Sequence, residues 1–443
     1  MDERLRLMRD LLPSSGMTAL RSCIAAIVLF LLAVWLGELS VRAGEPKTAT
    51  ATTAINALGI ELLHRADPSN ANALLSPYSI QSALAMAYAG ADGVTREEMT
   101  KVLHYPKDEP EVHRSFAALR KALDEAARQS ARNSAKIKRD GWASDPFTLH
   151  VANRLFGQAG YDFRAPFLAL VKDNYDAPFE PLDFKRGAAA ATKHMNDWVE
   201  NQTRQRINDL IPEGALDDLT RLVLVNAIYL KAPWAEPFSA SATKPRPFFL
   251  SSGKEVDVPT MSQQNEFGYA KRGGFSVLQI PYGDGDLLFL ILLPDKSSGL
   301  AALESRLTTK LLAECAISHV KEVILFLPKF KLEPPLFPLG RELQALGVKS
   351  AFDKPPGSAN FDRIAPRRPN DYLSISEVFH KTFLTLDEKG TETAAATAIH
   401  MGTLGIHEPV KPIEVKVDHP FLFAIQHRPS GACLFLGRVT DPR

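Results

Sequence analysis

The chain has 443 residues, 45% apolar and 23% charged, with a net charge of +1. That composition can bury a large core, and its balanced charge gives no reason to expect nucleic acid as a partner. Length alone admits two or three domains, but no Gly/Ser/Pro-rich linker and no internal repeat follows about residue 50, so one large domain is expected.

Arg4, Arg6, Arg9 and Arg21 precede an apolar run from Cys23 to Leu36, and Val41-Arg42-Ala43 offers small residues for cleavage. This pattern reads as an export signal over residues 1–43, giving a secreted, extracellular or periplasmic protein. The apolar run is shorter than the ~20 residues of a spanning helix. An uncleaved membrane anchor is the alternative. Residues 44–53 then form a polar leader to a folded domain over 54–443. Of the three cysteines, Cys315 and Cys433 lie in apolar surroundings suited to buried free thiols, although sequence leaves a bridge between them open. Neither the cysteines nor the eleven histidines have metal-ligand spacing, so no metal and no other cofactor is expected.

Ala54 to His64 has helical spacing. Ala71 to Leu75 reads as a strand that enters a helix at Ser76-Pro77, with Ser76 as N-cap and Pro77 in the first turn. The helix from Ile80 to Tyr88 is apolar nearly all round and belongs inside. Thr95 to Leu103 and Val112 to Ala127 are amphipathic helices. The stretch 128–146, with Arg128, Arg132, Lys136, Lys138 and Arg139, breaks the helical pattern and reads as a solvated loop; polyanion binding through 128–139 is the minor alternative. Thr148 to Phe156 alternates as a strand, and Phe163 to Tyr175 is helical. Leu222 to Lys231 is an unbroken apolar strand holding a lone Asn226. A buried amide without a partner costs ~1–3 kcal/mol, and His380, alone in a second apolar strand, is the candidate partner.

Three strings invite other readings. Ser251-Ser-Gly-Lys254 has a serine–lysine spacing but lies between strand-like runs and not at the start of a helix, so it is a hairpin turn. Tyr282-Gly-Asp-Gly-Asp286 is likewise a turn without the rest of a nucleotide loop. The Asn201-Gln-Thr203 sequon falls in a helical region. No nucleophile elbow and no acid–base pair is present, and the chain reads as a non-enzyme.

The stretch from Glu388 to Gly405 is a strand with no obvious sheet. From Thr391 onward one face carries Thr391, Thr393, Ala395, Thr397, Ile399 and Met401, and the other carries Glu392, Ala394, Ala396, Ala398 and His400. The first face has no charge, and no proline precedes Pro409, so the run can join a sheet ladder. Its residues are small, with little apolar area, so it can equally remain an exposed loop. On composition alone a flexible loop or a helix piece remains open as well.

These residues, with the runs Ile375–Glu388 and Glu414–Ile425 around them, resemble the serpin family. The resemblance covers roughly residues 54 to 441. It implies an α+β serpin fold: one large domain of three β-sheets and surrounding helices, with an exposed reactive-centre loop over about 388–412. It implies a hinge formed by Glu388, Gly390, Thr391, Glu392, Thr393, Ala394, Ala395, Ala396 and Thr397. It implies a shutter of Ser76, Pro77, Ser79, Asn226 and His380, and a breach of Trp234, Lys329 and Glu388. The partner it implies is a target serine protease held in a covalent acyl complex, the inhibitor being a monomer. Family spacing from Gly390 puts the scissile bond at Leu404-Gly405, which suits chymotrypsin-like or elastase-like proteases. No Arg or Lys lies between Thr391 and Val410, against trypsin-like targets. The segment from Gly405 to Pro420 is longer than in many serpins, leaving Met401 or Ile406 as alternative baits. Thr393 stands where inhibitory members usually keep alanine, and burying its branched hydroxyl is expected to slow insertion. A serpin-fold carrier, chaperone or plain substrate is the alternative function.

Overall fold

The computed structural model describes residues 47–66, 71–139, 145–369, 371–391 and 411–443. Helix α1 (Ala49–Arg65) begins inside the expected polar leader: Ala51 is fully buried, and the Thr50 hydroxyl donates to Glu111. Residues 49–53 therefore belong to the folded body. The short strand β1 (Ala73–Leu75) ends at Ser76, whose hydroxyl accepts from the Ser79 amide at 3.3 Å and caps α2 (Pro77–Gly90). Every residue of α2 except Ala83 is buried, as its all-round apolar pattern requires.

After α3 (Gly93–Val102), helix α4 (Glu109–Arg139) runs on through the basic stretch expected to be a loop. Ala126, Ser130 and Ser134 continue its buried stripe at four-residue spacing, and the Ser130 hydroxyl accepts from the Phe147 amide at 3.1 Å. Serines bury by pairing and not by apolarity, so hydropathy does not reveal them. On the exposed face Glu125 pairs with Arg128 at 3.0 Å and Arg132 at 2.5 Å, and Asp145 takes Lys138 at 3.1 Å. Much of the basic charge is thus balanced locally.

Next come β2 (Thr148–Gln158), α5 (Ala165–Tyr175), β3 (Phe179–Leu182), α6 (Phe184–Gln202) and β4 (Leu222–Pro233). They are followed by β5 (Lys244–Phe249), β6 (Glu255–Arg272), β7 (Phe275–Tyr282) and β8 (Leu287–Pro294). Short helices α7 (Leu300–Glu304) and α8 (Thr309–Cys315) precede β9 (His319–Pro328) and β10 (Phe330–Leu332). Helix α9 (Leu339–Leu346) leads towards β11 (Leu384–Asp387) and the two-residue β12 (Gly390–Thr391). The chain closes with β13 (Ile413–Lys416), β14 (Phe421–His427) and β15 (Ala432–Val439).

The central sheet has the order β10-β11-β12-β4-β2-β3. Ile228, Leu230 and Ala232 of β4 enter the main core, while Val223, Val225 and Ala227 enter a second cluster with Phe184, Met195 and Val199 of α6. Both faces are covered, which is why β4 reads as a continuous apolar run. The remaining strands form one network, β1-β15-β14-β8-β7-β6-β9-β13, with β5 on β6. Strand β6 joins what would otherwise be two sheets: Glu255 to Thr260 pair with β5, Thr260 to Tyr269 with β9, and Gly268 to Arg272 with β7. Among the described residues the strands of the three expected sheets form two hydrogen-bonded networks. Ser251 to Lys254 and Gly283 to Asp286 are turns, and Cys315 and Cys433 are buried and free.

The expected strand around His380 is absent. Over 372–383 the only bridge is His380 with Phe337, whose amide donates to the His380 carbonyl at 3.1 Å. A strand needs a neighbour, and among the described residues none lies on the β4 side.

Replacing Ser130 by Ala leaves the buried Phe147 amide without its acceptor. Urea unfolding is expected to show a loss of about 1–2 kcal/mol, against under about 0.5 kcal/mol for Arg132→Ala on the exposed face.

Candidate functional site

Strand β12 lies between β11 and β4, with Gly390 opposite Pro233 and Thr391 opposite Ala232. Among the described residues nothing else pairs with that edge of β4, so Leu222 to Lys231 are bonded on the β2 side alone. The central sheet therefore contains a slot whose top rungs are occupied by the first residues of the expected loop.

Gly390 has φ of +141°, and a Cβ there would stand 2.1 Å from the Ala232 carbonyl oxygen. Only glycine fits this approach of two backbones. Thr391 is buried, and its hydroxyl meets the Tyr282 phenol at 2.5 Å. Burial pushes the Tyr282 phenol up, so it stays neutral. Tyr282 stacks on Trp234 with ring centres 4.5 Å apart, and the Trp234 indole donates to the Asp387 carbonyl at 2.9 Å. The Trp234 and Phe238 amides donate to the Lys389 and Glu388 carbonyls at 2.9 and 2.8 Å. The Glu388 carboxylate accepts from Lys329 at 2.8 Å and from Thr243 at 2.7 Å. Burial pushes its pKa up, but these donors outweigh it and hold the carboxyl below its usual range. Trp234, Lys329 and Glu388 are thus gathered at one end of the slot.

Further down, a polar chain crosses beneath the sheet. Asn153 of β2 and Asn226 of β4 are directly opposite, and the Asn226 side-chain amide (Nδ2) donates to the Asn153 side-chain oxygen (Oδ1). The Ser79 hydroxyl donates to the Asn226 side-chain oxygen, and the Asn153 amide donates to the Tyr175 carbonyl at 2.9 Å. His380 does not take Asn226 as its partner. Its Nε2 accepts from the Ser76 amide at 3.1 Å, while the Ser76 hydroxyl donates to the Leu434 carbonyl at 2.7 Å. His380 turns to the α2 corner, so the two side chains meet it at serines three residues apart, His380 at Ser76 and Asn226 at Ser79. Thr382 adds a bond to the Leu74 carbonyl at 3.0 Å. Burial lowers the His380 pKa from 6.5 to about 4, so the ring is neutral and able to accept.

Ser76, Pro77, Ser79, Asn226 and His380 are therefore assembled at one corner. Glu392 to Thr397, Met401, Leu404, Gly405 and Ile406 lie outside the described residues. Sequence reasoning missed Asn153, Thr243, Tyr282 and Thr382. Asn153 carried the same signal as Asn226, an amide in an alternating strand, whereas the others acquire meaning only through distant partners.

The family model described as Serpin (serine protease inhibitor) matches residues 53–442. A leukocyte elastase inhibitor of Bos taurus is 40% identical over 381 residues, covering 84% of this chain and 93% of the relative. Uncleaved ovalbumin superposes with a TM-score of 0.72 at 28% identity, covering 88% of this chain and 99% of that structure. Cleaved Serpin 42Da gives 0.73 at 28% identity, covering 90% and 100%.

Gly390→Ala is expected to expel β12 from the slot, seen as faster hydrogen exchange at residues 390 and 391 with a stability loss of about 1–3 kcal/mol. For His380, native protonation occurs near pH 4 and unfolded protonation near 6.5, so the unfolded chain binds the proton first. Its contribution is present above pH 6.5 and lost as pH falls towards 4, by roughly 3 kcal/mol in all. Urea midpoints across that window are expected to fall more steeply for the native chain than for His380→Gln, which cannot gain the charge.

Proposed function

This chain belongs to the serpin family of serine protease inhibitors, and on that premise we propose that it traps its protease by inserting the cleaved loop into the slot beside β4. The observation carrying this reading is β12, which already fills the slot's first rungs above an edge of β4 that no other described residue pairs with. Antiparallel continuation from Gly390 opposite Pro233 and Thr391 opposite Ala232 places Thr393 opposite Leu230, Ala395 opposite Ile228 and Thr397 opposite Asn226. The face of Thr391, already buried, is then the face that enters the core throughout. The pairing ends with Met401 opposite Leu222, the first residue of β4.

The chemistry begins at the protease. Its serine attacks the Leu404 carbonyl, the Leu404–Gly405 bond breaks, Gly405 leaves as a free amine, and Leu404 remains as the acyl ester. The freed upstream segment then zips along β4. About a dozen residues at ~3.3 Å each carry the tethered protease some 40 Å. Each new hydrogen bond contributes a net ~0.5–1.5 kcal/mol, so the ladder is collectively large and the uncleaved fold is kinetically held. Loop insertion in serpins is itself an established case of strand addition that releases stored strain. Insertion competes with ester hydrolysis. Thr393 brings its hydroxyl beside Leu230, which slows the step that must win.

The bovine relative is named for leukocyte elastase, and Leu404 as bait agrees with elastase-like or chymotrypsin-like targets. We assign residues 1–43 as an export signal, with the mature monomer acting outside the cell or in the periplasm. No helix among the described residues is long and apolar enough to cross a membrane.

Mixing the full chain with pancreatic elastase and with chymotrypsin is expected to give an SDS-stable band at the summed mass and a peptide beginning at Gly405. Complete cleavage without that band, and without a rise in thermal stability, would sink the insertion reading. Thr393→Ala is expected to raise the share of complex over cleaved inhibitor by about threefold to tenfold, equivalent to a barrier lowered by ~1 kcal/mol.

A further inference from the structure

The chain reverses at Tyr282-Gly-Asp-Gly-Asp286, between β7 and β8, and this turn is fastened to the end of β4 that receives β12. Tyr282 bridges Trp234, the Gly283 amide donates to the Pro233 carbonyl at 2.8 Å, and the Ala235 amide donates to the Pro281 carbonyl at 3.0 Å. The phenol ring is held as firmly as its backbone. Its plane lies 6° from that of Trp234, and Phe289 meets it at 81° with 6.4 Å between centroids.

Tyr282 and Thr391 are each 1% exposed, so neither hydroxyl can turn to water. They meet each other at 2.5 Å, and among the described residues neither hydroxyl has a second partner. Removing one oxygen of such a pair strands the other, whereas removing both leaves an apolar contact that costs little.

We propose that the Tyr282 phenol pins the first rung of the ladder, so that insertion starts from a formed nucleus and outruns hydrolysis of the acyl ester. This inference rests on the insertion reading above. Bringing a free segment to a strand edge costs closure entropy, and a rung already in place has met that cost before the loop is cut. Tyr282 is a positioning residue, acting through Thr391 and well upstream of Leu404.

Hydrogen exchange at residues 390 and 391 tests the pin without a protease. Tyr282→Phe keeps the stack on Trp234 but leaves the Thr391 hydroxyl bare, and exchange there is expected to quicken by about tenfold. Thr391→Val leaves the phenol bare instead and is expected to do the same, which gives a reading if Tyr282→Phe folds poorly. The double variant Tyr282→Phe/Thr391→Val is expected to restore near-native exchange, because no polar group is then stranded. A general loss of stability would not be reversed by removing a second hydroxyl. Unchanged exchange in both single variants, or a double variant as fast as Tyr282→Phe, would overturn the pin. With pancreatic elastase, Tyr282→Phe is expected to raise the ratio of cleaved inhibitor to SDS-stable complex about threefold, while the total rate of loop cleavage stays within about twofold of native. The double variant is expected to restore that ratio. Altered exchange with an unchanged ratio would overturn the link to trapping. A native chain that forms no complex would overturn the insertion reading itself, and with it that link, while the exchange measurements still decide the pin.

Discussion

The structure depends on one edge of one strand. β4 is bonded to β2 from Leu222 to Lys231, and among the described residues its other edge is paired only where β12 meets Pro233 and Ala232. An edge inside a sheet covered on both faces is a row of backbone donors and acceptors in search of a partner. Gly390 lets the loop approach that edge, and the Tyr282–Thr391 contact holds the first rung in place.

The surroundings are tied by hydrogen bonds among side chains and between side chains and backbone. The Lys329–Glu388 pair is partly exposed, so its direct contribution is ~0–1 kcal/mol. Its larger consequence is positional: together with Thr243 it fixes the root of the loop over the open end of the slot. The chain of Tyr175, Asn153, Asn226 and Ser79 similarly links β2 and β4 to the end of α2. His380 binds the adjacent serine from the other side of the gap. Any widening of the slot must therefore separate elements converging on the Ser76–Ser79 corner, where each amide left bare costs ~1–3 kcal/mol.

The same separation of anchors explains why the loop's two ends behave differently. Upstream, β12 is a two-residue antiparallel rung between β11 and β4. Downstream, β13 is a parallel edge strand with partners already in place. The upstream end can extend; the downstream end can only hold or release.

Much of this was legible in the sequence. The Ser76 cap, the all-apolar α2 and the two turns at 251–254 and 283–286 all follow from local rules of periodicity and capping. Sequence also marked Asn226 as needing a partner, because an amide in an apolar strand admits few other readings. It did not identify that partner. His380 was the plausible candidate, yet residues 372–383 lack a strand neighbour and turn their histidine to Ser76 instead. The continuation of α4 was hidden because Ser130 and Ser134 are buried through pairing and not through apolarity. Helix and strand identity are carried by contacts a few residues apart, which the chain itself records. The slot and the Asn153–Asn226 contact join segments from tens to more than a hundred residues apart, and only the tertiary structure brings those segments together.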